Sequence, residues 1–146
     1  MGLLTAQVTA VGNGANTTED ILQTFSLPAN ALDAVGRGVR IKAWGTLANN
    51  GDGKTVRIYF GANIYNSTNL PTANVAWCIW ADVFKTGSNT QTAIGTGNFG
   101  NSTPATNSTA PNQADTSAII IKVTGQATVA NANDIICNGM TVEMIN

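Results

Sequence analysis

Residues 38–61, GVRIKAWGTLANNGDGKTVRIYFG, decide the fold. In the first arm Val39, Ile41, Ala43 and Leu47 fall on one face, and Arg40, Lys42, Trp44 and Thr46 on the other. In the second arm Val56, Ile58 and Phe60 alternate with Thr55, Arg57 and Tyr59. Alternation with a period of two puts one face on a core and the other toward solvent or a partner. The connection Ala48-Asn49-Asn50-Gly51-Asp52-Gly53 is built of residues that tolerate positive φ, and it separates β-branched runs. That combination predicts an antiparallel hairpin. A turn centred near Gly51 makes Trp44 and Tyr59 cross-strand neighbours on the outer face, with Arg40, Lys42 and Arg57 beside them. Such an aromatic pair either stabilises the sheet surface or serves a contact. A calcium loop needs several anionic oxygens at fixed spacing. This connection has one carboxylate, Asp52, and reads as an ordinary turn.

Working outward, short strands separated by turns recur along the chain. Leu4 to Val11 and Thr17 to Leu27 precede the central pair. Residues 63–74 form a polar excursion. Val75 to Lys85 is apolar on both faces, with Val75, Trp77, Ile79, Ala81 and Val83 on one and Ala76, Cys78, Trp80, Asp82 and Phe84 on the other. A strand apolar on both sides is covered on both sides. The outer cover is a long loop or another subunit, and another subunit is the expectation, with Val75, Trp77, Ile79, Trp80 and Phe84 as interface residues. Thr90 to Phe99 is a further strand, and Gly100 to Asp115 a low-complexity loop without an apolar anchor. Ser117 to Ala130 and Ile135 to Ile145 complete the series, with a bulge expected at Asn138-Gly139. No segment holds a period of 3.6. About eight short strands in one domain, residues 1–146, predict an all-β antiparallel β-sandwich of jelly-roll type.

Composition narrows the function. The net charge is -1 and only 10% of residues are charged, against about a quarter in typical soluble domains. Asn, Thr, Ala and Gly take the vacant positions, which suits a β-protein with extensive neighbour contacts. The seven cations are scattered, so neither nucleic acid nor an anionic membrane is an expected partner. Met1-Gly2-Leu3-Leu4 lacks the features of a secretory signal and of a myristoylation site, so the chain is expected to fold without translocation. Cys78 and Cys137 lie in apolar runs and are expected to be reduced and buried, a disulfide being the alternative if their strands are neighbours.

There is no histidine, which removes the usual general base and the usual metal ligand. Neither a cofactor nor a metal is expected. Gly95-Thr96-Gly97-Asn98-Phe99-Gly100 matches GxGxxG in form, but no helix pattern follows to present amides to a pyrophosphate. Asn-x-Ser/Thr sequons at Asn16, Asn66, Asn101 and Asn107 reflect the Asn/Thr-rich composition. Glu19 and Asp20 are adjacent and point apart on a strand, which is wrong for an acid–base pair. Asp82, the one acid in the apolar strand, reads as a hydrogen-bonded structural carboxylate. Enzyme chemistry is therefore not expected. A sugar-binding alternative would use Trp44, Tyr59 and Tyr65 with Asn63 and Asn66.

Leu27-Pro28-Ala29-Asn30, residues 36–46 (GRGVRIKAWGT), Ala48-Asn49-Asn50, Lys54-Thr55-Val56-Arg57 and Tyr59-Phe60-Gly61 form one series with Trp80-x-Asp82-Val83, Thr86-Gly87 and the closing residues 139–143, GMTVE. This series resembles small β-sandwich virion proteins of tailed bacteriophages and prophages, over most of the chain. The resemblance implies a structural role, as head decoration (cement) subunits or as tail fibre or knob domains, often trimeric. A short chain without a fibre shaft at its start favours the head. The expectation is a homotrimer on the capsid surface that binds the major capsid protein and is made in the host cytoplasm. The alternative is a tail knob binding a receptor or carbohydrate. Met1 to Val11 and the loop Gly100 to Asp115 are the expected reaching segments, with Trp44, Tyr59, Arg40 and Arg57 as candidate partner contacts.

Overall fold

The computed structural model describes residues 2–67, 70, 75–100 and 104–146. Among them the chain is all β, with eleven strands and no helix. In chain order they are β1 (Gly2–Gln7), β2 (Val11–Gly12), β3 (Asp20–Leu27), β4 (Gly38–Leu47), β5 (Lys54–Phe60), β6 (Ala62–Asn66), β7 (Val75–Gly87), β8 (Thr90–Phe99), β9 (Ala105–Thr109), β10 (Ile119–Ala127) and β11 (Ile135–Ile145). Two sheets pack face to face. One runs β1-β11-β4-β7-β8-β9, with β2 also on β11, and the other runs β3-β10-β5-β6. Without β2, β8 and β9, this is the pairing of two interleaved Greek keys, a jelly roll. Strands β8 and β9 widen the first sheet beyond the eight expected.

The faces of the central stretch are those the alternation predicts. Val39, Ile41, Ala43, Leu47, Val56, Ile58 and Phe60 are all buried between the sheets. The hairpin is not formed. Strand β4 is flanked by β11 and β7, and β5 by β10 and β6, so neither has a free edge for the other. The connection 48–53 carries the chain from one sheet to the other. None of its residues has positive φ. Lys54 anchors it: fully buried, its Nζ donates to Asn50 Oδ1 at 2.6 Å and to the Asp52 carbonyl at 2.9 Å. Asn50 Nδ2 in turn donates to the buried Asp134 at 2.7 Å. The hairpin that β5 does make is with β6, through Gly61 at φ 65. Trp44 and Tyr59 thus lie on outer faces of different sheets, as do Arg40 and Arg57. Alternation states which way a side chain points and not which strand lies beside it.

Two segments read as loops contain strands. Ala62–Asn66 lies within the polar excursion, and Ala105–Thr109 pairs with β8 within the low-complexity segment. Residues 68–69, 71–74 and 101–103, with the sequon at Asn101, lie outside the described residues. The segment after β9 is anchored by polar groups. Gln91 and Gln113 exchange two hydrogen bonds, and Lys85 pairs with the buried Asp115. The Lys85 ammonium holds the Asp115 carboxyl below the usual carboxylate range. The bulge at Asn138-Gly139 is present as a register shift between Cys137 and Gly139. The formal GxGxxG match falls on strand β8 and the turn after it. A Cβ on Gly97 would come within 2.2 Å of the Tyr65 hydroxyl, and one on Gly95 within 3.0 Å of Tyr65 Cβ. These glycines make room for a ring from the opposite sheet.

Candidate functional site

The register brings the predicted site residues to three separate places. The first is the core. Trp77 and Ile79 point inward, Trp77 stacking at 6.3 Å on Phe99, and both are buried. They are spent within the subunit and cannot form a contact between subunits. Tyr65 is also fully buried, so it is no sugar platform, and burial pushes its hydroxyl up to about 12. Val75 and Phe84 are half-buried, towards opposite ends of β7.

The second place is the outer face of the larger sheet. One row crosses it as Leu3, Glu143, Arg40, Asp82, Ile94 and Ser108, and a parallel row as Ala6, Thr141, Lys42, Trp80, Thr96 and Thr106. Arg40 Nε and Nη2 donate to the two Asp82 oxygens at 2.8 and 2.7 Å, a bidentate pair. Asp82 is thus held by an arginine on the next strand. Trp80 stands 43% exposed, and Lys42 is exposed directly opposite it. Together with Arg40 and Cys78 they line an open depression of about 410 Å³. Trp44 is half-buried on the same face, over the bulge, where a Cβ on Gly139 would meet its ring at 2.4 Å. Cys78 is on this outer face and Cys137 is buried on the inner one, with β4 between their strands. Both are free thiols. Burial pushes the Cys137 thiol up to about 11.

The third place is the outer face of the smaller sheet. Glu19 accepts from Thr124 Oγ1 at 2.5 Å and from the Tyr59 hydroxyl at 2.7 Å, with Arg57 at 3.5 Å. Its burial favours the neutral acid, but these hydrogen bonds and the arginine outweigh that and hold its pKa below the ordinary value. Tyr59 also lies under Lys122, whose Nζ is 4.6 Å from the ring centroid. Arg57 is held by Asn66 Oδ1 at 2.7 Å and Gln126 Oε1 at 3.0 Å. Each of these side chains is engaged by a neighbour, so the cluster braces β5 against β10. Among the described residues no group of three or more His, Cys, Asp or Glu is placed to hold a metal ion.

The sequence names Met1 to Val11 as a reaching segment but does not show that β1 and β2 meet β3. There Gln7 Nε2 donates to the Thr24 carbonyl at 2.6 Å, and Gln23 Nε2 to the Thr9 carbonyl at 2.8 Å. These amides tie together the edge strands of the two sheets. Around them Val8, Val11 and Ile21 are exposed, Val8 by 73% and Ile21 by 55%. An open groove of about 590 Å³ lies between the strands. A sequence signal exists: no charged residue occurs from Met1 to Thr18.

No family model and no curated protein matches the chain. The crystal structure of the infectious bursal disease virus VP2 subviral particle is similar with a TM-score of 0.44 and 12% identity, covering 94% of this chain and 30% of that one. A structure of the infectious bursal disease virus Gt strain is similar with a TM-score of 0.42 and 12% identity, covering 97% of this chain and 32% of that one. The chain thus spans about a third of the length of these structures.

Proposed function

We propose that the chain is a non-enzymatic structural subunit of a virion. In this reading it is a decoration protein that forms a homotrimer on the capsid surface and binds the major capsid protein. The observation that carries this reading is the β1–β3 side. Among the described residues no strand pairs with the outer edge of β1, and in the groove beside it Val8, Val11 and Ile21 are exposed among uncharged amides and hydroxyls. Proteins that stay monomeric blunt such edges with lysine, proline or inward charges. Here neither lysine nor proline occurs before Pro28, so the edge is built to be covered. The area that copies of the chain bury on one another is the whole of the chemistry required.

Light scattering tests the oligomer. The wild-type chain should have three times its 15.1 kDa mass at micromolar concentration. The double substitution Val8→Glu with Ile21→Glu should return it to a monomer, because one carboxylate just beyond β1 and one on β3 leave charge without water at the contact. A wild-type monomer, or a trimer indifferent to both substitutions, would remove the edge from this role.

A further inference from the structure

We propose that the depression between β4 and β7 binds an acidic sugar residue, with its ring face on Trp80 and its carboxylate between Lys42 and Arg40. This site does not depend on the shell-subunit reading, because it lies on a sheet face away from the β1 edge. Four observations carry it. The depression has the size of a small ligand site, about 410 Å³. Its lining has one aromatic, Trp80, with no ring partner among the described residues, and that ring is 43% exposed. An indole offers a flat apolar face with a polar edge, suited to a ring that is apolar on one side and hydroxylated around its rim. Both charges in the lining are positive. Asp82 engages Nε and Nη2 of Arg40 and leaves Nη1 uncommitted, and Lys42 has no ion-pair or hydrogen-bond partner among the described residues.

The ion pairing favours a monoanion. Arg40 is paired with Asp82, and Glu143 lies across from Arg40 on the other side. Lys42 is left as the cation without an ion-pair partner among the described residues, one ammonium for one carboxylate, and with two acids in the same row a dianionic phosphate would be repelled more than a monoanion. The surroundings select a sugar over a nucleotide base. Thr96 lies opposite Trp80, and Thr141 opposite Lys42, which places hydroxyls along the row. The lining offers no second ring to enclose a base.

Saturation-transfer NMR on the full chain tests the proposal. The probes are N-acetylneuraminic acid and glucuronic acid, with glucose and methyl glucuronate as uncharged counterparts and adenosine monophosphate as the nucleotide. The acids should bind, and the uncharged sugars should bind about tenfold more weakly, as for the loss of one charge-assisted contact. Lys42→Met should weaken acid binding by about the same factor, and Trp80→Ala should abolish it. In the unaltered chain, bound acid should slow alkylation of Cys78, while the buried Cys137 stays unreactive. Equal binding of charged and uncharged sugars, stronger binding of the nucleotide, or no transfer and no protection of Cys78 would each overturn it.

Discussion

Gly45→Ala is expected to cost about 3 kcal/mol of stability, near the upper end for overpacking a core with one methyl group. Gly45 lies near the end of β4, where a Cβ would come within 1.8 Å of the Ile136 carbonyl oxygen and 2.7 Å of Trp77 Cζ2. The first of these atoms is backbone in a paired strand, so it cannot swing aside. The second belongs to a ring whose Nε1 donates to the Thr46 carbonyl at 3.2 Å. Moving either strand breaks the ladder between β4 and β11. Gly51, in the connection between sheets, has nothing within 4 Å of its Cβ position. Gly51→Ala should change stability by less than about 0.5 kcal/mol. Urea unfolding of both variants at one fixed protomer concentration checks the pair, because assembly links stability to concentration. A Gly45→Ala midpoint equal to that of wild type would mean β4 is not held between β11 and β7.

Lys54→Met should be nearly as costly, again about 3 kcal/mol. The methionine keeps the apolar stem and removes the ammonium. The Asp52 carbonyl then loses its donor, and Asn50 Oδ1 loses one of two, keeping the Asp52 N–H at 3.2 Å, so the amide that donates to Asp134 is held less firmly. Asp134 is itself buried, and its Oδ2 has no partner among the described residues. Water replaces none of these bonds cheaply at a corner this closed. The exposed Lys42→Met is the matched control and should stay within about 0.5 kcal/mol of wild type. Equal unfolding midpoints for the two variants would show that Lys54 does not anchor the crossing between the sheets.

Much of the fold was legible because burial in a sandwich is written in period-two patterns. Val39 to Leu47 and Val56 to Phe60 point where their alternation says, and β8 and β11 fall on their predicted residues. What alternation cannot carry is partnership. The strands of the central stretch read as a hairpin because a polar six-residue connection fits a turn and a crossing equally well. The sheet order depends on β11, β7 and β10, which are far away in sequence. Strands β6 and β9 went unread because they are short and polar, Ala-Asn-Ile-Tyr-Asn and Ala-Thr-Asn-Ser-Thr, and are held by neighbours more than by their own propensity. The site divided along the same line. Trp80 reads from its run of apolar neighbours as an interface residue. Its companion Lys42 is 38 positions earlier in sequence, and only the β4–β7 register brings them together. Trp77 and Ile79 were placed at a subunit contact because a doubly apolar strand does not say which of its faces the opposite sheet will cover.

The central claim is that this sandwich is built to be covered by protein. Its most direct test is binding to purified capsid shells that lack the chain, followed by co-sedimentation and by electron microscopy of the labelled chain. The expected result is saturable binding at regular positions on the shell surface, lost in the Val8→Glu, Ile21→Glu double variant. Shells that leave the wild-type chain in the supernatant at every ratio tested would contradict it.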